Sequence, residues 1–253
     1  MPELPEVECH RRTLQKWVVG SRIKTIECMK DSIVYEGVAP DIIEESLRGQ
    51  LVLAASRHGK NIWLELENAP SLCLHLGMTG QVKFKGRTGF VLKTGFDRND
   101  DCWPPRYTKL NCEMESGEKW AVTSVRRFGR ILLRESPLTC EPLSSLGVDP
   151  LLAMPSAQRL ANLLATRRSP IKSVLLNQKV IAGVGNWVAD EVLYHARIDP
   201  WCKADHLQTQ ILQRLIEQLH YVIDEAIRVD ADYRRFPKSW LFHRRWGKRC
   251  DVV

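Results

Sequence analysis

The amino terminus carries the residues best suited to covalent chemistry. The chain begins with Met1, Pro2 and Glu3, and removal of Met1, which a following proline permits, would expose a secondary amine beside a carboxylate. An α-amino group has a pKa of about 7.7–8.0, so a fraction of it is neutral and nucleophilic near pH 7. Such an amine attacks an aldehyde-level carbon to give an iminium, with Glu3 as the general acid or base. The structural alternative is that Pro and Glu simply open a helix.

Two motifs in the first half of the chain each allow two interpretations. Lys60 follows Gly59 between two strand-like segments, which places it at a hairpin tip, either as a solvated turn residue or as a phosphate contact. His75 ends an apolar strand-like segment and precedes Met78 in a Gly-Met-Thr-Gly run. Met78 either fills the core, which is the commoner role of methionine, or projects from a tight turn.

Two later motifs combine cations with turn residues. Arg126 and Phe128 lie between strand-like segments; an exposed Arg–Phe pair can enter a base stack as an apolar wedge beside a cation, or can be an ordinary turn. A Gly-Val-Gly run then leads to Asn186 at a helix start, where backbone N–H groups favour an anion. Lys172, in the preceding helix, adds a cation. The run lacks the Lys-Ser/Thr of a P-loop, which disfavours nucleotide binding.

The elements that must position these residues change character along the chain. Apolar residues at helical spacing predict an amphipathic helix over residues 5–18. Short segments rich in β-branched and aromatic residues follow, with a short helix at 40–47, and predict a β-sandwich or barrel. The predicted strands are residues 22–29, 51–56, 61–66, 71–76, 81–85, 108–115, 119–125 and 129–135. Residues 86–106 are polar and Gly-rich, which predicts a long surface loop.

The second half of the chain is helical in pattern. Predicted helices cover residues 156–166, 170–177, 187–196 and 207–228. The change of pattern predicts four parts: an N-terminal helix with a β-sandwich or barrel, a linker, a helical domain, and a basic and aromatic tail. These parts are residues 1–135, 136–150, 151–229 and 230–253.

Composition limits the class of protein. The 253 residues carry a formal net charge of +7 and have a pI of about 9.0, which suits a polyanionic partner. Eight cysteines are scattered, with no two at the short spacing of a zinc site. There is no secretory signal pattern and no apolar run of about 20 residues. We therefore expect a soluble intracellular protein with free thiols and no membrane association.

Taken together and in this order, these motifs resemble the formamidopyrimidine-DNA glycosylase/endonuclease VIII family. The likeness extends over residues 2–246, and the segment Leu175–Ile198, which contains the run from Gly185 to Tyr194, is most similar to the plant and fungal branch. The resemblance implies an α+β protein: an N-terminal helix with a two-layer β-sandwich, followed by an all-α helix–two-turns–helix domain. It also implies a C-terminal finger, which is truncated or absent here.

The resemblance assigns a role to each candidate residue. Pro2 would attack C1′ of the damaged nucleotide, Glu3 would protonate the sugar ring oxygen, and Lys60 would lie near the scissile phosphates. A base inside a duplex must be extruded before it can react, and the void then needs a wedge. The wedge residues would be Met78, Arg126 and Phe128, and the contacts to lesion-flanking phosphates would come from His75, Lys172 and Asn186.

The implied function is a bifunctional DNA glycosylase/AP lyase of base excision repair, an enzyme that excises a damaged base and then cleaves the strand at the apurinic or apyrimidinic site. It would remove oxidised purines through a Schiff base on Pro2 and cleave by β,δ-elimination. The expected partner is damaged double-stranded DNA, bound by a monomer in the nucleus if the source is eukaryotic, and otherwise in the cytoplasm. One alternative is a truncated member that mainly binds damaged or abasic DNA; another is a tautomerase using Pro2 as a general base.

The C-terminus departs from the family pattern. Bacterial members end in a four-cysteine zinc finger, whereas Cys250 stands alone here, so we expect no zinc and no other cofactor. The segment between Arg228 and Trp240 is short for the loop that bacterial enzymes close over 8-oxoguanine. The expected substrates are therefore formamidopyrimidines, further oxidised guanines and abasic sites, with efficient 8-oxoguanine excision in question.

Overall fold

The computed structural model describes residues 1–87 and 102–245. Most of the predicted loop at 86–106 and the last eight residues of the predicted tail lie outside the described residues. The chain divides into two compact units, Met1–Ser145 and Leu146–Val253. We call them the N-terminal and C-terminal units and describe each by itself.

In its described residues, the N-terminal unit contains two α-helices and eight strands. The helices are α1 (Leu4–Trp17) and α2 (Pro40–Leu47). The strands are β1 (Ile23–Cys28), β2 (Val52–His58), β3 (Asn61–Leu66), β4 (Ser71–His75), β5 (Gln81–Phe84), β6 (Thr108–Met114), β7 (Lys119–Thr123) and β8 (Arg130–Arg134). The hydrophobic pattern therefore predicted every one of these elements, and α2 to the residue.

The strands form two antiparallel four-stranded sheets. Their orders are β1-β6-β7-β5 and β2-β3-β4-β8. One hydrophobic core combines side chains from both sheets and from α1 and α2, including the fully buried Trp120, Leu64 and Leu14. Since both sheets contribute to one core, this is a two-layer sandwich, and the predicted α+β fold class is confirmed.

The strand β2 continues two residues beyond its predicted end at Ser56. Arg57 and His58 pair with Ile62 and Asn61 across a tight hairpin. The sequence pattern did not predict this extension of β2, because Arg57 is charged and a charged residue is rarely buried unless it is paired.

A buried ion pair fastens α1 to this hairpin. Glu8, on α1, accepts a hydrogen bond from Arg57 Nε at 3.1 Å, and the Arg57 side chain is fully buried. Arg11 and Arg12 also bind the Glu8 carboxylate, at 2.8 Å each. Burial alone would raise the pKa of Glu8, but these arginines lower it to about 2.

The C-terminal unit is helical. Its helices are α3 (Ala157–Leu164), α4 (Ile171–Leu176), α5 (Asn186–Ala196) and α6 (Thr209–Arg228). α5 packs on both α4 and α6, and α3 packs on α6. In the described part of the chain, no helix has the length and apolar character that spanning a membrane would require.

The segment after α6 packs onto α5. Trp240 is fully buried and its ring lies 6.4 Å from that of Trp187, while Phe236 and Phe242 are each 5.4 Å from Trp187. Glu191, fully buried on α5, accepts the backbone N–H groups of residues 241 and 242 at 2.9 and 2.8 Å. The described part of the predicted tail is therefore integral to the helical unit.

Replacing Glu8 by glutamine tests the buried pair. At pH 7, E8Q should lose about 3 kcal/mol of unfolding free energy, because Arg57 keeps its buried charge without the carboxylate. The depressed pKa of Glu8 means that its stabilisation is present above about pH 4.5 and is lost as pH falls towards 2. Urea denaturation at pH 7 and pH 3 should therefore show a gap between E8Q and the native chain that narrows in acid.

The control is R12A, since the Arg12 side chain is 55% exposed and exposed pairs contribute about 1 kcal/mol or less. Equal losses in E8Q and R12A would contradict the role given to the buried pair.

Candidate active site

Lys60 lies in a two-residue turn but is not solvated. Gly59, with φ of 58°, and Lys60 join β2 to β3, and Lys60 is only 8% exposed. Burial lowers the pKa of its ammonium, while the carboxylates of Glu3 and Glu6 act in the opposite direction. The hairpin therefore places the buried ammonium of Lys60 near the start of α1.

The start of α1 holds two carboxyl groups in a capping box. Glu3 is the N-cap residue and its backbone N–H donates to Glu6 Oε2 at 3.0 Å, while its own side chain accepts the backbone N–H of Glu6. Burial, and then the charge of Glu3, raises the pKa of Glu6 to about 7. The second interpretation of the N-terminal sequence is therefore also correct, since these residues do begin a helix.

Pro2, Glu3 and Lys60 come together in one place. Pro2 is buried beside the N-cap, and Met1 is 42% exposed. The Glu3 carboxylate lies close enough to Lys60 to raise the pKa of its ammonium. Pro2, whose nitrogen would become an amine on removal of Met1, therefore shares a largely buried site with a carboxyl group and an ammonium ion, where electrostatic interactions are stronger than in water.

His75 lies beside this site as a neutral donor. It is the last residue of β4 and pairs with Asn61 on β3 and with Arg130 on β8. Burial lowers its pKa to about 4, with added repulsion from Lys60 and Arg130. Its Nδ1 accepts the Gly77 N–H at 3.2 Å, so the neutral ring carries its proton on Nε2. His75 can therefore donate Nε2–H to an anion.

Two loops present the predicted wedge residues. Met78 is 37% exposed and Phe128 is 52% exposed, so Met78 projects from a turn and does not fill the core. The Arg126 guanidinium lies 5.4 Å from the Phe128 ring centroid. The loops touch through their backbones: a Cβ built on Gly77, where φ is +62°, would lie 2.4 Å from the carbonyl carbon of Phe128. The structure thus brings the three residues onto adjoining loops.

Arg127 holds the second loop, a role that sequence reasoning missed. Its Nε and Nη2 donate to the Asp31 carboxylate at 3.0 and 2.9 Å. Lys109 Nζ contacts the same carboxylate at 2.8 Å. Burial would raise the pKa of Asp31, but the hydrogen bonds from Arg127 and Lys109 hold it well below its usual range. Because Arg127 is held by Asp31, its neighbours on both sides are left exposed.

The C-terminal unit places Lys172 on α4 and Asn186 at the first position of α5. Asn186 is exposed, and Lys172 Nζ pairs with Asp190 Oδ1 at 2.5 Å. The connection between α4 and α5 depends on Gln178, which sequence reasoning also missed. Its side chain donates to the Val184 carbonyl at 2.8 Å and accepts the N–H of residue 183 at 2.9 Å.

Among residues 1–87 and 102–245, no group of three or more His, Cys, Asp or Glu side chains could hold a metal ion. Cys250 lies outside these residues. The absence of zinc therefore stays a prediction.

Comparison with known proteins identifies both units. Residues 1–131 match the family model for the formamidopyrimidine-DNA glycosylase N-terminal domain, and residues 146–238 match the model for its H2TH domain. A formamidopyrimidine-DNA glycosylase from Arabidopsis thaliana is 38% identical over 262 residues, covering 100% of this chain and 67% of the relative. One from Paracoccus denitrificans is 36% identical over 267 residues, covering 100% and 91%.

Solved structures agree with these matches. A complex of Lactococcus lactis Fpg with DNA containing an abasic site has a TM-score of 0.75 and 26% identity, covering 89% of this chain and 78% of that one. The wild-type Lactococcus lactis Fpg bound to DNA containing N7-benzyl-Fapy-dG has a TM-score of 0.76 and 26% identity, covering 90% and 79%.

The contact between the two wedge loops can be tested at Gly77. G77A should lose at least about 2 kcal/mol of unfolding free energy, from the left-handed backbone and the clash with the neighbouring loop. Gly117 provides the control, because its φ is +88° and nothing lies within 4 Å of a Cβ there. G117A therefore carries only the backbone cost, about 1 kcal/mol. Equal losses in urea denaturation would show that the loops do not constrain each other.

The raised pKa of the Glu6 carboxyl predicts that the free energy of unfolding depends on pH. Its folded-state pKa of about 7 lies above the ordinary 4.5, so the folded chain holds a proton that the unfolded chain has released. Stability should therefore fall as pH rises from 4.5 through 7, by up to about 3 kcal/mol from this group. E6Q should remove that fall in unfolding titrations between pH 4.5 and 8. Parallel profiles for E6Q and the native chain would contradict the raised pKa.

Proposed function

The chain belongs to the formamidopyrimidine-DNA glycosylase family, and from this we propose that it is a bifunctional DNA glycosylase/AP lyase acting in base excision repair. The observation that carries the proposal is the joint placement of Pro2, Glu3 and Lys60 at a buried site. Covalent amine catalysis needs an amine, an acid–base group and a local electrostatic field. All three come from the start of α1 and the hairpin that touches it.

The proposed first step is attack by the Pro2 nitrogen on C1′ of the damaged nucleotide. The N–C1′ bond forms, the glycosidic bond breaks, and the damaged base leaves with its electron pair and takes up a proton. Glu3 then protonates the ring oxygen as the C1′–O4′ bond opens, which leaves an iminium between Pro2 and C1′. The proton that Glu6 retains up to about pH 7 lies beside Glu3, so the pair keeps acid available near neutral pH.

Strand cleavage follows from the iminium, which acidifies the proton on C2′. Its removal expels the 3′ phosphate by β-elimination, and a second elimination expels the 5′ phosphate. Hydrolysis of the remaining iminium returns the Pro2 amine. Lys60 is proposed to stabilise the phosphates as they leave, and His75 to donate Nε2–H to a phosphate oxygen, as a neutral imidazole can.

The exposed loops support DNA as the substrate. Flipping a base out of the stack costs a few kcal/mol, and an apolar side chain inserted into the gap recovers part of that cost. Met78 and Phe128 offer apolar surface next to the Arg126 guanidinium. The net charge of +7 favours a polyanion, and Lys172 and Asn186 on the helical unit are proposed as further phosphate contacts.

The proposed substrates are formamidopyrimidines, further oxidised guanines and abasic sites in double-stranded DNA, with 8-oxoguanine a weaker one. Support comes from the two Lactococcus lactis complexes, which hold an abasic site and a substituted formamidopyrimidine. The short connection from Arg228 to Trp240 argues against a long capping loop. We propose that the protein acts as a monomer without zinc or another cofactor, in the nucleus of a eukaryotic source.

The second candidate function is binding without turnover. It would use the same exposed apolar side chains and cations to bind damaged or abasic DNA, and the chain spans 67% of the length of its Arabidopsis thaliana relative. The tautomerase alternative has no support from the family assignment.

Borohydride trapping on an abasic-site duplex tests the nucleophile. The native chain should form a covalent adduct, and P2G should form much less, because the secondary amine is replaced by a primary one. P5A is the matched control, since it changes a proline three residues away, in the first turn of α1, and leaves the terminal amine intact. Intact mass of the purified protein shows whether Met1 has been removed.

Three results discriminate between the proposals. Equal adduct yields from P2G and the native chain would show that adduct formation does not depend on the secondary amine of Pro2. Binding to abasic DNA without any adduct or strand cleavage, in a chain whose mass shows a free Pro2, would establish the binding function instead. Cleavage by P5A at the native rate would show that the effect of P2G is local.

A further inference from the structure

One carboxylate on α5 holds two cations from distant parts of the helical unit. Asp190 Oδ1 contacts Lys172 Nζ at 2.5 Å, and Asp190 Oδ2 contacts Arg245 Nη2 at 3.0 Å. The side chains of Lys172 and Arg245 are 32% and 19% exposed. Both cations are therefore partly desolvated and held at one anion, with a local net charge of +1.

This ion triad lies close to the start of α5. Asp190 is four residues after Asn186, so the two side chains share one face of the helix. The backbone of Lys172 is fixed because its N–H donates to the carbonyl of Pro200 at 3.3 Å. The turn that precedes Arg245 is fixed to α5 by Glu191. All three charged groups thus project from a rigid framework.

We propose that Asp190 is a positioning residue, which holds Lys172 and Arg245 together as a two-cation site for one DNA phosphate beside Asn186. The inference rests on the proposed function and adds Arg245 and Asp190 to the residues that grip DNA. Without the Asp190 carboxylate, the ammonium of Lys172 and the guanidinium of Arg245 would repel each other and turn outwards. The carboxylate removes that repulsion and fixes the planar guanidinium, which binds phosphate best in a defined orientation. The backbone N–H groups at the start of α5 favour the same anion.

The proposal predicts that neutralising Asp190 weakens DNA binding, whereas the change in net charge alone predicts tighter binding. D190N raises the net charge by one, and on electrostatic grounds alone it should bind DNA more tightly. If Asp190 positions the two cations, D190N should bind more weakly, by about fivefold, because ordering the cations then costs free energy on binding. The sign of the change separates the two explanations.

Fluorescence anisotropy with a duplex containing a stable abasic-site analogue, at several salt concentrations, provides the measurement. R245Q should weaken binding and reduce the slope of log Kd against log salt by about 0.9, the value for one lost phosphate contact. R245K should recover much of the slope and only part of the affinity. R234Q is the matched control, because Arg234 is an exposed arginine of the same segment that pairs with Asp232.

A double-mutant cycle covers the case in which D190N folds poorly. K172Q and R245Q should be coupled, so that the double variant loses less affinity than the sum of the single variants. Unchanged or tighter binding by folded D190N, or a salt slope for R245Q equal to that of R234Q, would overturn the inference. In those cases the native chain still traps abasic DNA and the proposed function stands. A native chain that neither binds nor traps abasic DNA would overturn both.

Discussion

The contact between Glu8 and Arg57 is the interaction on which the candidate active site depends. Chain termini are ordinarily the loosest part of a domain, yet the proposed nucleophile is two residues from a helix that is fixed to a sheet. The fully buried Arg57 binds Glu8 on α1 and also donates to the carbonyl of Gly59 at 2.9 Å. One guanidinium therefore fixes both the helix that carries Pro2 and Glu3 and the turn that carries Lys60. Removing it would change the distance between Pro2 and Lys60, even if both residues were themselves intact.

Near that contact, the pKa values of three ionisable groups are shifted so that each group favours its uncharged form. The pKa of Glu6 rises to about 7, that of Lys60 falls through burial, and that of His75 falls to about 4. These pKa shifts lower the free energy of unfolding, because in each case the folded protein disfavours the charged form of the group. The pKa of Glu6 suits proton transfer near neutral pH, where a group that can both hold and release a proton is the most effective catalyst. The N-terminal unit offsets this cost with a core shared by two sheets and two helices.

The sequence predicted those parts of the molecule that depend on local pattern. Hydrophobic periodicity and turn residues located the strands and the helix at Pro40–Leu47, and the order of short motifs led to the family. It did not predict Arg127, whose partner Asp31 is 96 residues away, or the sharing of Asp190 by Lys172 and Arg245. Long-range ion pairs leave no periodic trace, since either partner alone resembles an ordinary surface charge. The aromatic residues after Arg228 were predicted as a tail for the same reason: only the fold reveals that Trp187 is their partner.

The close backbone contact of Gly77 with Phe128 has a consequence for how the family can diversify. Because the two loops meet without intervening side chains, neither can gain or lose a residue without displacing the other. The side chains of Met78, Arg126 and Phe128 are exposed, so their residue types can change without disturbing that backbone contact. We therefore expect that residue types at these three positions can change only while both loops keep their length. An engineer seeking a different wedge should substitute residues there and leave the lengths of both loops alone.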